Sequence, residues 1–264
     1  MACAAFKHFL ASSFFSSQIE STPGPAAQPA GLVRESKPLA RFTRMNMLKN
    51  FFGKKSSPAL EKFLKSMNIG YMEWHDGNGY DLSALNELRG EELKQVESLL
   101  ISRKNQDWRD VEALAALKTP PAIEALKECF LSKNIDVKLF AVRYLKEMDV
   151  VDRVEEIVIS TLPSTKIGQG LTFALVLAKE YPTELIKEKL LWCCVNGNDD
   201  IRIHCAAMSL FLYGMASSEF DRDQKIIFRF GNKEKAKRIE AFSELCHMIG
   251  VNPGNYVSAN NNAG

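Results

Sequence analysis

Long hydrophobic runs are missing from this 264-residue chain: the densest, Leu171–Ala178, is far shorter than the about 20 residues that cross a bilayer, so no membrane partner is expected. Cysteine is scarce. The six residues, Cys3, Cys129, Cys193, Cys194, Cys205 and Cys246, are too dilute for a disulfide scaffold. Most lie in apolar helical patterns, so they are expected as small packed core side chains in a reducing cytoplasmic setting. His204-Cys205 and Cys246-His247 lack the two compact ligand pairs of a zinc site, so no metal is expected. An excess of either charge is missing as well: 34 Lys and Arg stand against 32 Asp and Glu, which excludes a basic nucleic-acid coat. The balance is local, because residues 1–58 hold eight bases and two acids, and the body that follows is mildly acidic.

Enzyme signatures are also lacking. No G-x-S-x-G elbow occurs, and Gly168-Gln169-Gly170 has neither the third glycine nor the lysine of a phosphate cradle, so no cofactor is expected. The densest chemical cluster, Glu73-Trp74-His75-Asp76, combines carboxylates, an imidazole and an aromatic in the manner of a general acid and base. Followed by Gly77 and Gly79, it reads instead as the polar cap of the first helical unit. No catalytic residue is assigned, and the chain is read as not an enzyme.

Three segments follow from composition. Residues 1–58 include the Pro/Ala stretch Ser21–Ala30, which can neither propagate a helix nor pack a core, so they read as a disordered leader. Met45 and Met47 offer alternative starts beyond most of it. A transit peptide is a competing reading, weakened by the lack of an Arg-rich amphipathic helix. Residues 59–252 form the folded body, and the polar, turn-rich residues 253–264 a disordered tail.

What the body does have is helical periodicity. Val137, Phe140, Ala141, Tyr144, Leu145 and Met148 follow i, i+3, i+4, i+7, i+8, i+11, the pattern of one buried stripe, with Asp136 as its expected N-cap. No strict alternation marks a strand. Self-comparison then shows a repeat: Asp107-Trp108-Arg109, Asp136-Val137-Lys138 and Asp200-Ile201-Arg202 each open a helix with an acid, a large apolar residue and a base. Ala141, Ala174 and Ala206 fall 33 and 32 residues apart. The units run Asp81–Ser102, Asp107–Ser132, Ile135–Leu162, Lys166–Asn196 and Asn198 to about Met248. A single helix pair cannot bury both faces, so the units are expected to stack.

The period of about 30 residues, the acid-apolar-base entry and the small residue behind it resemble HEAT-like (armadillo-type) repeats over about residues 80–250. The stretch Trp74–Leu85 and the terminal Phe228-Arg229-Phe230-Gly231 are similar to bacterial proteins of that type. The resemblance implies an all-α fold, an α-solenoid of about four to five stacked helix pairs. It further implies a non-enzymatic scaffold or adaptor whose partner is another protein; a toxin-neutralising immunity protein fits the same description.

Expected partner-binding residues are Trp74 and Trp108, the solvent-side ladder Arg109, Lys138 and Arg202, and Phe220, Phe228, Arg229 and Phe230 of the insertion before the closing helix. For those phenylalanines, capping the end of the core is an equal alternative. Two other functions stay open. A DNA-binding solenoid resembling the alkylpurine DNA glycosylases would use Arg143, Lys166, Arg202, Arg229 and the basic run Lys233–Arg238, with Trp108 or Trp192 for stacking, against the acidity of the body. A chromophore-lyase type of HEAT subunit has no residue of its own in its favour.

Overall fold

The computed structural model describes residues 56–70 and 77–257. The described chain is all-α. Helix α1 (Pro58–Ser66) precedes α2 (Leu82–Glu87) and α3 (Gly90–Arg103), then α4 (Trp108–Leu117) and α5 (Pro120–Glu128), α6 (Ile135–Glu147) and α7 (Val154–Thr161), and α8 (Leu171–Glu180) and α9 (Glu184–Asn196). Helix α10 (Asp199–Leu212), the short α11 (Ile226–Arg229), α12 (Lys235–Ile249) and one last turn, α13 (Gly254–Val257), complete it. Among the described residues there is no strand, and no helix is long and apolar enough to cross a membrane. Gly254–Val257, which composition assigns to the polar tail, makes a helical turn because Tyr256 packs edge-on against Phe242, with ring centroids 5.7 Å apart.

Local chemistry sets the helix starts. Ser57, Asp81, Thr119 and Thr183 cap α1, α2, α5 and α9, each accepting from the backbone N–H three residues on. Pro120 and Pro121 follow Thr119 into the first turn, where a missing N–H costs nothing. At α6 and α10 the caps differ from expectation. Asn134 and Asn198, not Asp136 and Asp200, take the cap position, each accepting from the N–H of the aspartate two residues on. The aspartates move into the first turn, where they still complement the helix dipole.

Packing joins alternate helices. Each of α2, α4, α6, α8 and α10 touches the next in that series, while α3 touches α5, and α9 touches both α7 and α12. We call the first series the leading helices. Helix α6 is buried on two faces. Its predicted stripe enters a first core with Leu60, Phe63, Leu85, Leu114 and Leu126, whereas Leu139 and Val142 enter a second with Leu162, Leu190, Phe230 and Phe242. Full burial of each such side chain is worth about 1.5–3 kcal/mol. Cys129, Cys193, Cys194, Cys205 and Cys246 are fully buried free thiols. Burial pushes the Cys194 and Cys205 thiols well up and holds Cys246 at about 11, so all three pack as neutral groups.

Candidate functional site

The N-terminal ends of the leading helices are fastened to loops one unit away. Arg109 Nε donates to the Asn78 carbonyl (2.6 Å), Asn134 Nδ2 to Gln106 (3.3 Å), Asn198 Nδ2 to Thr165 (2.9 Å) and Arg202 Nε to Phe230 (3.1 Å). The partners are 28 to 33 residues apart in sequence. Between the second and third of these ties, the Gly170 N–H hydrogen-bonds the Asp136 carboxylate, whose pKa burial raises to about 6 against that bond. Gly170 has φ of +82°, and a Cβ there would overlap Ile135 Cγ2, so this close approach requires glycine.

Two apolar tips project from successive loops of this edge. Leu131 is 88% exposed and Ile167 61%. Leu131 ends a short 3-10 turn, Cys129–Leu131, closed by the Ser132 N–H on the Cys129 carbonyl at 3.0 Å. Ile167 rides a tight turn in which Lys166 and Gln169 exchange backbone hydrogen bonds (3.0 and 2.9 Å), with Gly168 at φ +75°. Lys133 and Lys166, near these tips in sequence, and Lys138 at the start of α6 pair with no carboxylate among the described residues.

The leading helices also share an aromatic and ionic face. Trp108 stacks on Phe140 (4.7 Å between centroids, 29°), and Phe140 meets Phe173 edge-on at 4.2 Å. Nearer the C-terminal ends, Tyr144 donates to Glu112 Oε1 (3.2 Å), and Arg143 contacts Glu180 (2.7 Å) and Glu147 (3.2 Å). Burial raises the Glu112 and Glu180 carboxyls, partly offset by Tyr144 and Arg143 respectively. On the other side of α4, Asp110 is fully buried, accepting from Tyr80 (3.1 Å) and Arg103 (3.1 Å). Desolvation still holds its pKa at about 6.

The ladder expected on the solvent side is not there. Arg109 and Arg202 are buried, because their guanidinium groups serve loop carbonyls, and only Lys138 keeps an unpaired charge. In the insertion, Phe230 is fully buried in the second core, Phe228 is about half exposed, and Phe220 lies between His204 and Phe228. Arg229 is ion-paired with Glu244. Among the other proposed nucleic-acid contacts, Arg143 is held by glutamates, Lys237 by Glu234 (2.8 Å) and Arg238 by two carbonyls; Trp192 lies under Lys189. Trp74 and its neighbours Glu73, His75 and Asp76 lie outside the described residues.

Sequence reasoning missed Leu131, Ile167, the capping asparagines and the Glu112–Tyr144 pair. A signal existed for the shared face: Trp108, Phe140 and Phe173 are 32 and 33 residues apart, the spacing of the repeat alanines, and Glu112 and Tyr144 are 32 apart. Comparison of the chain with protein-family models, with curated proteins and with solved structures finds no match.

Proposed function

We propose that this chain is a HEAT-like α-solenoid of about five helix pairs and a non-enzymatic scaffold that binds a protein partner along the loop edge carrying Leu131 and Ile167. Loop-to-loop ties at a period near 30 residues, and a continuous row of leading helices, support the stacked reading. The binding reading is carried by one observation: two held loops present the two most exposed large apolar side chains among the described residues. At such exposure these side chains add almost nothing to folding. Each Å² buried by a partner would return about 25 cal/mol. The unpaired Lys133, Lys138 and Lys166 favour a partner with acidic groups around an apolar anchor.

The test is capture from native lysate with the full chain and with Leu131→Asp and Ile167→Asp, one arm treated with nuclease. Both variants should fold with stability within about 0.5 kcal/mol of the parent, because neither side chain packs. A stoichiometric, nuclease-resistant protein retained by the parent and lost by both variants is the expected result. Undiminished retention by both would remove the edge from the interface, and recovery of nucleic acid alone would favour the DNA-binding reading.

A further inference from the structure

A cavity of about 240 Å³ opens between α2, α4 and the end of α6, away from the loop edge. Its walls are apolar at Leu82, Ala115, Ala116 and Met148, and polar at Glu112, Tyr144, Glu147 and Lys118. Two glutamates line it against one lysine. Arg143 faces Glu180 at 2.7 Å and Glu147 at 3.2 Å, its Nε makes no hydrogen bond to either, and Glu112 accepts from the Tyr144 hydroxyl but is in no direct ion pair among the described residues. Lys118 forms no ion pair among the described residues, and its residue is exposed at the mouth. On the far side Glu112 Oε2 lies close over Gly79, where an added Cβ would stand 2.6 Å from it, so the approach of this carboxylate needs the missing side chain.

Desolvation disfavours the charge of this carboxylate, and the Tyr144 hydroxyl with the more distant charges of Arg109 and Arg143 compensates only in part. A cation delivered through the opening would complete that compensation. The apolar walls suit a short methylene chain behind it, in the way lysine and arginine stems lie along apolar surface. We propose that this cavity binds the end of an aliphatic cation, an alkylammonium or alkylguanidinium group whose charge is taken by Glu112 and whose chain lies against Leu82, Ala116 and Met148. The site is separate from the loop edge, and neither proposal depends on the other.

Calorimetric titration of the full chain with agmatine and with n-pentylamine, against n-pentanol as the uncharged control, tests it. Both cations should bind and the alcohol should not. Glu112→Gln, which keeps the shape and the Tyr144 hydrogen bond, should weaken the cations about tenfold or more, the range for a hydrogen bond to a charged partner. Ala116→Leu, which fills the cavity and leaves every charge in place, should abolish binding with helicity unchanged. Equal binding of pentanol, undiminished binding to either variant, or no heat from either cation at millimolar concentration would each overturn the proposal.

Discussion

At Asp110 a fully buried carboxyl is held by Tyr80 and Arg103, and its pKa of about 6 lies above the about 3.9 of an unfolded chain. Between those values the native state binds more protons than the unfolded state. This group's contribution to stability therefore falls as pH rises from about 4 to 6 and is level above that. Other acids act oppositely; Asp81, lowered to about 2 by the Ser83 hydroxyl and the Ala84 N–H, loses its contribution only as pH falls. The informative quantity is thus a difference between two proteins. Urea denaturation should show Asp110→Asn gaining on the parent as pH rises from 4 to 6, with a constant offset above about 7. Asp110→Ala, which leaves Arg103 without its partner, should cost about 3 kcal/mol at neutral pH.

At the scale of the element, the ends of helices carry the joints between units. Asn198 both caps α10 and donates to Thr165, so Asn198→Ala should cost about 2 kcal/mol, a cap and a tertiary hydrogen bond together. Gly170→Ala meets Ile135 from a left-handed backbone and should cost at least as much; thermal denaturation of both variants checks the pair. These joints mark where sequence reading stopped. Thr119-Pro120-Pro121 announces its helix by local chemistry alone. Asn134 and Asp136 are both good caps, and what decides between them is the Gln106 carbonyl, 28 residues away. Arg109 and Arg202 read as solvent-facing because their partners are carbonyls of other loops. The second buried face of α6, Leu139 and Val142, follows no single helical stripe and appears only once two cores are in view.

Across the whole molecule, α6 contributes to both cores, and Phe130 and Phe173 pack against both. Two halves sharing one helix should not melt separately. With Trp74 replaced by Phe, single-tryptophan variants keeping Trp108 in the first half or Trp192 in the second should give superimposable unfolding curves in urea; separated midpoints would mean that α6 does not couple them. The two ends of the leading helices differ in how far their charged contacts are buried: Arg109 and Arg202 are almost wholly covered, Lys179 is not. At their N-terminal ends, four ties finish on loop carbonyls. Near their C-terminal ends, Arg143–Glu180 and Lys179–Glu219 hold α8 to α6 and to the segment beyond α10. Dissolved salt weakens interactions between exposed charges over a length of about 10 Å at 0.1 M and acts much less on buried ones. Rising ionic strength should therefore weaken the exposed Lys179–Glu219 pair before the buried guanidinium ties, so the seam between these helices loosens from its C-terminal side first, as a zip runs open from its unfastened end.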